Sequence, residues 1–290
     1  MVNVIHQWRK FNKLDFAKSL KSMVAEFCNR LKQITKGGFF MFGDNSSGFA
    51  NENEIIDYLN NTKYVDNLNS NFKAFLSFLF SQNLNGKTVS AYKPTGQVKP
   101  DIGIIIDENE KYVSVKKGSG NSVHQEQLVE FESFLDSCGV SKRIINYLKE
   151  FHYGDGSTDG NGGERIRASQ WQAQNLTKIT QINIAINTPD ILMESLNRFL
   201  FIGNIPDAPV VDVVYHGNIE DGLWASREEI IEYLIPNHNN ATTVHFSNLT
   251  YQVWNRNLNY NPKTANRRHT MQIKWPSLTK DFINITEKRV

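Results

Sequence analysis

Apolar residues recur along the chain at two different spacings, which indicate helical and extended regions. Between residues 14 and 35 they lie three or four positions apart, which predicts an amphipathic helix that ends at Gly37-Gly38. Helical spacing is also present from about residue 51 and between residues 70 and 82. The N-terminal part of the chain is therefore predicted to be mainly helical.

A spacing of two residues then takes over and predicts three strands. They cover residues 88 to 93, 101 to 106 and 111 to 117. The four residues from Asp107 to Glu110 are predicted to form the hairpin turn between the last two strands. This hairpin is the clearest extended feature of the chain.

Helices and strands alternate in the remainder of the sequence. Ser122 followed by Gln125 has the spacing of a capping box, which predicts a helix over residues 122 to 136. Further helices are predicted at 141–151, 168–184, 189–200 and after Ser226, and further strands at 210–217, 242–246 and 271–275. The glycine-rich residues 152 to 165 predict a long exposed loop. Because no repeat or linker interrupts this pattern, one interwoven α/β unit is expected, with N- and C-terminal elaborations around a core.

Composition narrows the class of protein. With 290 residues, of which 40% are hydrophobic, the chain can bury a substantial core. Cys28 and Cys138 lack the spacing of metal ligands and are expected to be free thiols, which favours a reducing cytoplasm. The N-terminus has no apolar stretch long enough for a secretory signal, and no run of about 18 uncharged apolar residues is present, so we expect neither a secretory signal nor a membrane span.

The net charge of +2 conceals an uneven distribution. Residues 1 to 40 and residues 241 to 290 each carry eight basic and two acidic side chains, whereas the 200 residues between them carry 16 basic and 26 acidic ones. Basic ends around an acidic centre suit a protein that binds a polyanion outside and cations inside. For the N-terminal segment alone, lysines that solubilise an amphipathic helix are the preferred alternative.

The predicted hairpin brings together residues that could hydrolyse a phosphodiester. Residues two apart in a strand share a face, so Ser114 and Lys116 lie side by side with Tyr112, and Asp101 in the neighbouring strand can reach them. Such hydrolysis needs a carboxylate to hold Mg²⁺, a water activated by the metal, and a cation near the developing charge. Asp101 and Lys116 supply the carboxylate and the cation.

These residues resemble the signature of the PD-(D/E)XK nuclease superfamily. The resemblance rests on Pro100-Asp101, the hairpin spacing and Val115-Lys116, and it covers residues 50 to 135. It implies a mixed central β-sheet flanked by helices, the restriction-endonuclease-like core, and cleavage of double-stranded DNA with one or two Mg²⁺ ions, as in type II restriction enzymes. It further implies that Asp101 and the backbone carbonyl of Val115 bind the metal and that Lys116 lies beside the attacking water.

The resemblance divides the predicted unit into functional parts. Residues 1 to 48 form the N-terminal helical segment, 49 to 217 the catalytic core, and 218 to 290 a C-terminal elaboration that recognises DNA. A homodimer is expected if the target is palindromic, because one site cuts one strand. Two other functions remain open: a nuclease-like module that binds nucleic acid without cleaving it, and a nuclease that acts on RNA or on DNA ends.

Ser114 departs from the family signature, which has an acid at this position. A serine hydroxyl is a poor Mg²⁺ ligand, so a second acid is expected from a helix, and the candidates are Glu52, Glu54, Glu126 and Glu130. At about 100° per residue, Glu52 lies on the apolar face of its helix, whereas Glu54 and Glu126 point away from theirs. Glu52 is therefore preferred and Glu126 is the alternative, while an ordinary salt bridge is the competing interpretation of Glu52.

Polar and basic residues outside this site are predicted to contact DNA. His124 and Gln125 open the helix that follows Lys116, and the C-terminal region combines cations with amides suited to adenine. The predicted contacts are His124, Gln125, Arg165, Arg167, Asn255, Arg256, Asn257, Arg267, Arg268 and Lys274. For any single one of them, an ordinary structural or surface role is the more frequent alternative.

Overall fold

The computed structural model describes residues 46–118, 121–237, 242–253 and 267–289, so the helix predicted over residues 14 to 35 lies outside the described residues. In the described ranges the fold is α/β, as predicted, with one mixed and one antiparallel sheet flanked by helices. The helices are α1 (Ser46–Thr62), α2 (Ser70–Phe80), α3 (Leu128–Ser137), α4 (Lys142–Tyr153), α5 (Ala168–Gln174), α6 (Leu176–Ile186), α7 (Pro189–Asn197), α8 (Arg227–Leu234) and α9 (Leu278–Glu287). The strands are β1 (Val89–Tyr92), β2 (Ile102–Ile106), β3 (Asn109–Lys116), β4 (Asn121–Gln127), β5 (Val213–Gly217), β6 (Gly222–Ser226), β7 (His245–Phe246), β8 (Leu249–Val253) and β9 (Thr270–Trp275).

The mixed sheet has the strand order β1-β2-β3-β5-β6, in which only β3 and β5 are parallel neighbours. The predicted hairpin between β2 and β3 is present. Its turn is shorter than predicted, because Ile106 pairs with Asn109 and leaves only Asp107 and Glu108 in the turn. Asp107 has a φ of 54°, a left-handed conformation that a tight two-residue turn requires and that aspartate tolerates.

Apolar residues cover both faces of the mixed sheet. One face packs against α1 and α2 through a cluster that includes Phe72, Phe75 and Tyr215. The opposite face, which carries Val214 and Ala225, belongs to a larger cluster shared with the antiparallel sheet and most of the remaining helices. The centre of the mixed sheet is therefore rigidly enclosed, which suits a scaffold for side chains at its strand ends.

The prediction of a helix that begins at Ser122 is wrong for its first six residues. That segment is the strand β4, which pairs with β9 in the antiparallel sheet of order β4-β9-β8-β7. The register shifts between Ser122 and His124, and such a bulge disturbs the alternation of buried and exposed residues that identifies a strand. The helix begins only at Leu128.

The helix predicted after Ser226 is confirmed as α8, which Ser226 caps with the reciprocal hydrogen bonds to Glu229 that define a capping box. Other elements differ from the prediction. The single helix predicted over residues 168 to 184 is two helices, because Asn175 separates α5 from α6. The strands β6 and β8 were not predicted.

Each sheet combines strands from both sides of residue 217. The mixed sheet includes β6, and the antiparallel sheet includes β4. The predicted boundary at residue 217 therefore does not separate the two sheets. The division into a catalytic core and a DNA-recognition region stays a prediction. In the described ranges no helix combines the length and apolar character needed to cross a membrane.

Candidate active site

The carboxylate of Asp101 accepts three hydrogen bonds where β2 and β3 meet. Its Oδ2 atom accepts from the Ser114 hydroxyl at 2.9 Å, from the Val115 backbone N–H at 2.7 Å and from Lys116 Nζ at 2.9 Å. The backbone N–H of Asp101 donates to the carbonyl of Val113 at 2.9 Å, which fixes the residue to β3. The structure therefore brings together the three side chains that the hairpin pattern predicted to be neighbours.

The charge on Asp101 is stabilised although its surroundings are largely buried. Burial opposes the charged form, but the Lys116 ammonium and the hydrogen bonds from Lys116, Ser114 and Val115 outweigh it and hold the pKa of Asp101 below its usual value. Its side chain is 25% exposed, and no described residue donates to its other oxygen, Oδ1. One oxygen of a charged carboxylate thus remains open to a cation.

Lys116 connects the two oxygen groups that were predicted to bind metal. Its Nζ atom donates to Asp101 and, at 3.1 Å, to the backbone carbonyl of Val115. The side chain is only 16% exposed, so the ammonium is held against the end of β3. A phosphate that reached Asp101 would also meet this cation.

Glu52 lies within electrostatic range of the same carboxylate. It is 8% exposed on α1, as the helical spacing predicted, whereas Glu54 is exposed. Burial raises the pKa of Glu52; a 2.8 Å hydrogen bond from Lys93 lowers it, and the charge of Asp101 raises it further. The salt bridge anticipated as the competing interpretation is therefore present, and Glu52 is also coupled to Asp101.

Helix α1 is anchored so that its first turns stay near the strand ends. The Asn51 side chain donates to the carbonyl of Gly217 at the end of β5, at 3.0 Å. Asn60 exchanges two hydrogen bonds with the backbone of Ala91 in β1, at 2.8 and 2.9 Å. These contacts connect the helix that carries Glu52 to two strands of the mixed sheet.

The prediction that Glu126 is solvated is wrong. Because the segment is a strand, His124 and Glu126 point to the same buried side, and the Glu126 side chain is fully buried. Arg198 binds both of its oxygens, with a 2.9 Å contact between Nε and Oε1, and His124 Nε2 lies 3.1 Å from Oε1. Burial opposes ionisation, but His124 and Arg198 hold the pKa of Glu126 below its usual value. Both oxygens are engaged, so the geometry favours Glu52 over Glu126 as the second acid.

Lys99 connects the candidate site to the antiparallel sheet and was missed in the sequence. Its Nζ atom donates to the backbone carbonyl of Val123 in β4. Burial, followed by the nearby charge of Lys116, lowers the pKa of Lys99 to about 7, whereas Asp101 and Glu126 favour its charged form. Its position two residues before Asp101 in the sequence could have indicated that it lies near the candidate site.

Two further residues of this region had no comparable signal in the sequence. Lys93, the partner of Glu52, is 41 positions away from it along the chain, and Arg198 is 72 positions from Glu126. Pairings over such separations are set by tertiary packing, which a single sequence does not reveal.

The predicted DNA contacts fall into different environments. His124 is buried against Phe199, with ring centroids 5.4 Å apart. Burial lowers the pKa of His124 to about 4, so its imidazole is neutral and structural. The prediction that His124 opens a helix is wrong, because it lies in β4. Gln125, Arg167 and Arg267 are exposed, and Lys274 is half-buried in β9. Asn255, Arg256 and Asn257 lie outside the described residues.

Two predicted arginines help to hold the loop after α4. Arg165 donates to the carbonyl of His152 at 2.9 Å, and burial lowers the pKa of Arg165 to about 10. Arg268, just before β9, donates to the buried carboxylate of Asp155 at 2.5 Å. The loop is therefore attached to the start of β9 in the antiparallel sheet.

The chain matches no family model, and no curated protein matches it. Within the ranges that the structure describes, no three His, Cys, Asp or Glu side chains cluster as a ready-made metal site. The residues of this region that could act on a substrate are therefore Asp101, Ser114, Lys116 and Glu52.

Proposed function

We propose that the protein is a Mg²⁺-dependent endonuclease that hydrolyses phosphodiester bonds in double-stranded DNA, of the type II restriction kind. One observation carries the proposal: Asp101 is charged, oriented through one oxygen, open at the other, and 2.9 Å from the Lys116 ammonium. The mixed sheet flanked by helices supports the restriction-endonuclease-like core that the PD-(D/E)XK resemblance implies.

The oxygen atoms at this site fit a hard divalent cation. Asp101, the carbonyl of Val115 and Glu52 would hold Mg²⁺, an ion that proteins usually bind through one or two carboxylates while substrate phosphates and waters complete its shell. When bound, the ion supplies Lewis acidity that polarises a phosphoryl oxygen and lowers the pKa of a water. A large preformed cluster of acids is not required for this chemistry.

The protein side chains have distinct roles in the proposed reaction. Ser114 and the Val115 N–H orient Asp101, so no reorganisation of the carboxylate is needed when substrate arrives. The Lys116 ammonium offsets the negative charge that develops on the phosphate in the transition state. Lys93, which is partly exposed, adds positive charge to the same region and attracts the phosphate backbone.

Incubation of plasmid and phage DNA with the purified protein tests the proposal. With Mg²⁺ we expect discrete fragments, which disappear when the metal is chelated and in Asp101→Asn and Lys116→Ala. The matched controls are Asp57→Asn on α1 and Lys117→Ala beside Lys116, both exposed, which should cleave as the parent protein does. Full cleavage by Asp101→Asn or Lys116→Ala would contradict the proposed site.

Other products would identify the alternative functions. Salt-sensitive binding without cleavage would indicate a binding module, in keeping with the Ser114 departure. Trimming from DNA ends or loss of RNA would indicate a different nuclease. Discrete fragments with symmetric ends would support a homodimer, which light scattering of the protein with and without DNA measures directly.

A further inference from the structure

The outward face of the antiparallel sheet consists of amide, hydroxyl and ammonium groups. Across β4, β9 and β8 the register places Gln125 opposite Gln272 and Gln272 opposite Gln252. Neighbouring rows add further polar side chains, and together they form what we term the amide face: Ser122, Gln125, Gln127, Thr250, Gln252, Thr270, Gln272 and Lys274. The opposite face of β9 carries Met271, Ile273 and Trp275, all fully buried.

Side-chain packing alone gives no reason for three aligned glutamines. Strands favour β-branched and aromatic residues, and glutamine contributes no comparable packing on an outer face. Gln125 is exposed and its amide donates to Ser122 at 3.4 Å, whereas Gln252 is half-buried. Gln272 is the most enclosed of the three and donates to Ser122 at 2.8 Å, which orients the centre of the row.

The charge of the amide face suits a nucleic acid. None of its eight described side chains is acidic, and Lys274 contributes a cation. The exposed residue Arg267 precedes β9, and the sequence from residue 241 to 290 has an excess of six basic side chains. A polyanion can therefore approach this surface without repulsion.

The strand β4, which carries one edge of the amide face, is attached to the candidate active site. Lys99, two residues before Asp101, donates to the carbonyl of Val123 within β4. In the chain, β4 begins five residues after Lys116, at the end of β3. A duplex at the Asp101 carboxylate is thus close to β4, which carries Gln125.

We infer that the amide face reads base edges of double-stranded DNA, with Gln125, Gln272 and Gln252 contacting base pairs that contain adenine. A glutamine amide presents a donor and an acceptor that match N6 and N7 of adenine, and β-strands enter DNA grooves in known recognition folds. The inference rests on the proposed function, because it names the surface by which the same protein selects its target.

Selection from a random duplex library, with metal chelated so that nothing is cleaved, tests the inference. The parent protein should enrich duplexes with fixed A·T positions. In Gln125→Ala/Gln252→Ala, discrimination at those positions should fall by about 5- to 100-fold per lost bidentate contact. The matched control is Gln170→Ala/Gln174→Ala, which removes two exposed glutamines from α5 and should keep the parent preference.

Parallel cleavage assays with Mg²⁺ separate this inference from the proposed function. If the glutamine variant keeps the parent's base preference, or if the parent selects no sequence, the inference is overturned even when DNA is cleaved. If the variant instead changes the oligomeric state by light scattering and not the base preference, the face binds a second copy and the inference is again overturned. If the parent protein selects a sequence but does not cleave, and the glutamine variant loses that preference, the result would support the amide face and refute the endonuclease.

Discussion

The Ser114 hydroxyl donates a 2.9 Å hydrogen bond to Oδ2 of Asp101. Ser114 stands where the nuclease signature that this chain resembles has an acid, and it orients the neighbouring Asp101 and stabilises its charge. Ser114 is 2% exposed, so this hydrogen bond forms in a region with little competing water. In the proposed reaction Ser114 would act through Asp101, which makes it a positioning residue.

Replacing Ser114 with alanine should reduce cleavage about tenfold at neutral pH, because a hydrogen bond to a charged group contributes roughly 1.5 kcal/mol or more. Loss of the donor should also raise the pKa of Asp101, which moves the acid limb of the pH profile of cleavage to higher pH. Steady-state cleavage rates across pH measure both effects. Ser90→Ala, at an exposed position of β1, is the control. An unshifted acid limb in Ser114→Ala would exclude the positioning role.

Replacing Glu52 with glutamine should raise the Mg²⁺ concentration required for half-maximal cleavage by about ten- to hundredfold, as expected for groups that bind or orient around a metal. Titration of cleavage rate with Mg²⁺ gives this value. Glu54→Gln changes an exposed acid two residues away and should leave the titration unchanged. Equal titrations for the two variants would mean that Glu52 only pairs with Lys93.

Replacing Arg198 with methionine should destabilise the fold by about 3–5 kcal/mol, because it leaves the buried Glu126 carboxylate without its cation. Urea unfolding followed by fluorescence measures the change. Lys142→Met breaks a pair whose side chains are 68% and 49% exposed, and it should cost about 1 kcal/mol or less. Adding Glu126→Gln to Arg198→Met should restore part of the loss. Similar small losses in both single variants would contradict this account.

The buried imidazole of His152 should make stability depend on pH. Its Nδ1 contacts the Tyr251 hydroxyl at 2.8 Å and its Nε2 contacts the carbonyl of Arg268 at 2.9 Å. Burial lowers the pKa of His152 from 6.5 to about 4, although the hydrogen bond to that carbonyl favours the charged form. As the pH falls, the unfolded chain therefore takes up a proton first, and stability is lost between about pH 6.5 and pH 4.

Urea unfolding at pH 7 and pH 5 measures this dependence. The contribution of His152 between these two values is about 2 kcal/mol. In His152→Gln the difference between the two pH values should shrink by that amount, whatever the variant costs at pH 7. An unchanged difference would show that His152 does not cause the loss.

The β2–β3 hairpin could be predicted because an apolar run, a short acidic turn and a second extended run follow one another within 16 residues. The strand β4 could not, because Ser122 and Gln125 imitate a helix cap and the bulge hides the alternation. In β8 the signal existed, since Thr250 and Gln252 alternate with buried Leu249, Tyr251 and Val253. The alternation of apolar and polar residues therefore identifies a strand where the strand pairing is regular, and it does not identify β4, where a bulge interrupts the pairing.

The candidate site was predictable to the extent that its residues share one regular element. The burial of Glu52 followed from helical spacing on α1, and the meeting of Asp101, Ser114 and Lys116 followed from strand geometry. The predicted environment of Glu126 depended on whether its segment forms a helix or a strand. Because the segment was wrongly predicted as a helix, Glu126 was expected to be exposed, whereas it is buried. Its partner Arg198 comes from a distant element, which only the fold brings near.

The short connection between Lys116 and Ser122 limits how far cleavage and base recognition can be separated. Six residue steps span at most about 20 Å in an extended chain. At a rise of 3.4 Å per base pair, this distance corresponds to about six base pairs. A protein that cuts at Asp101 and reads with β4 would therefore break DNA within or directly beside its target sequence, and not at a remote position.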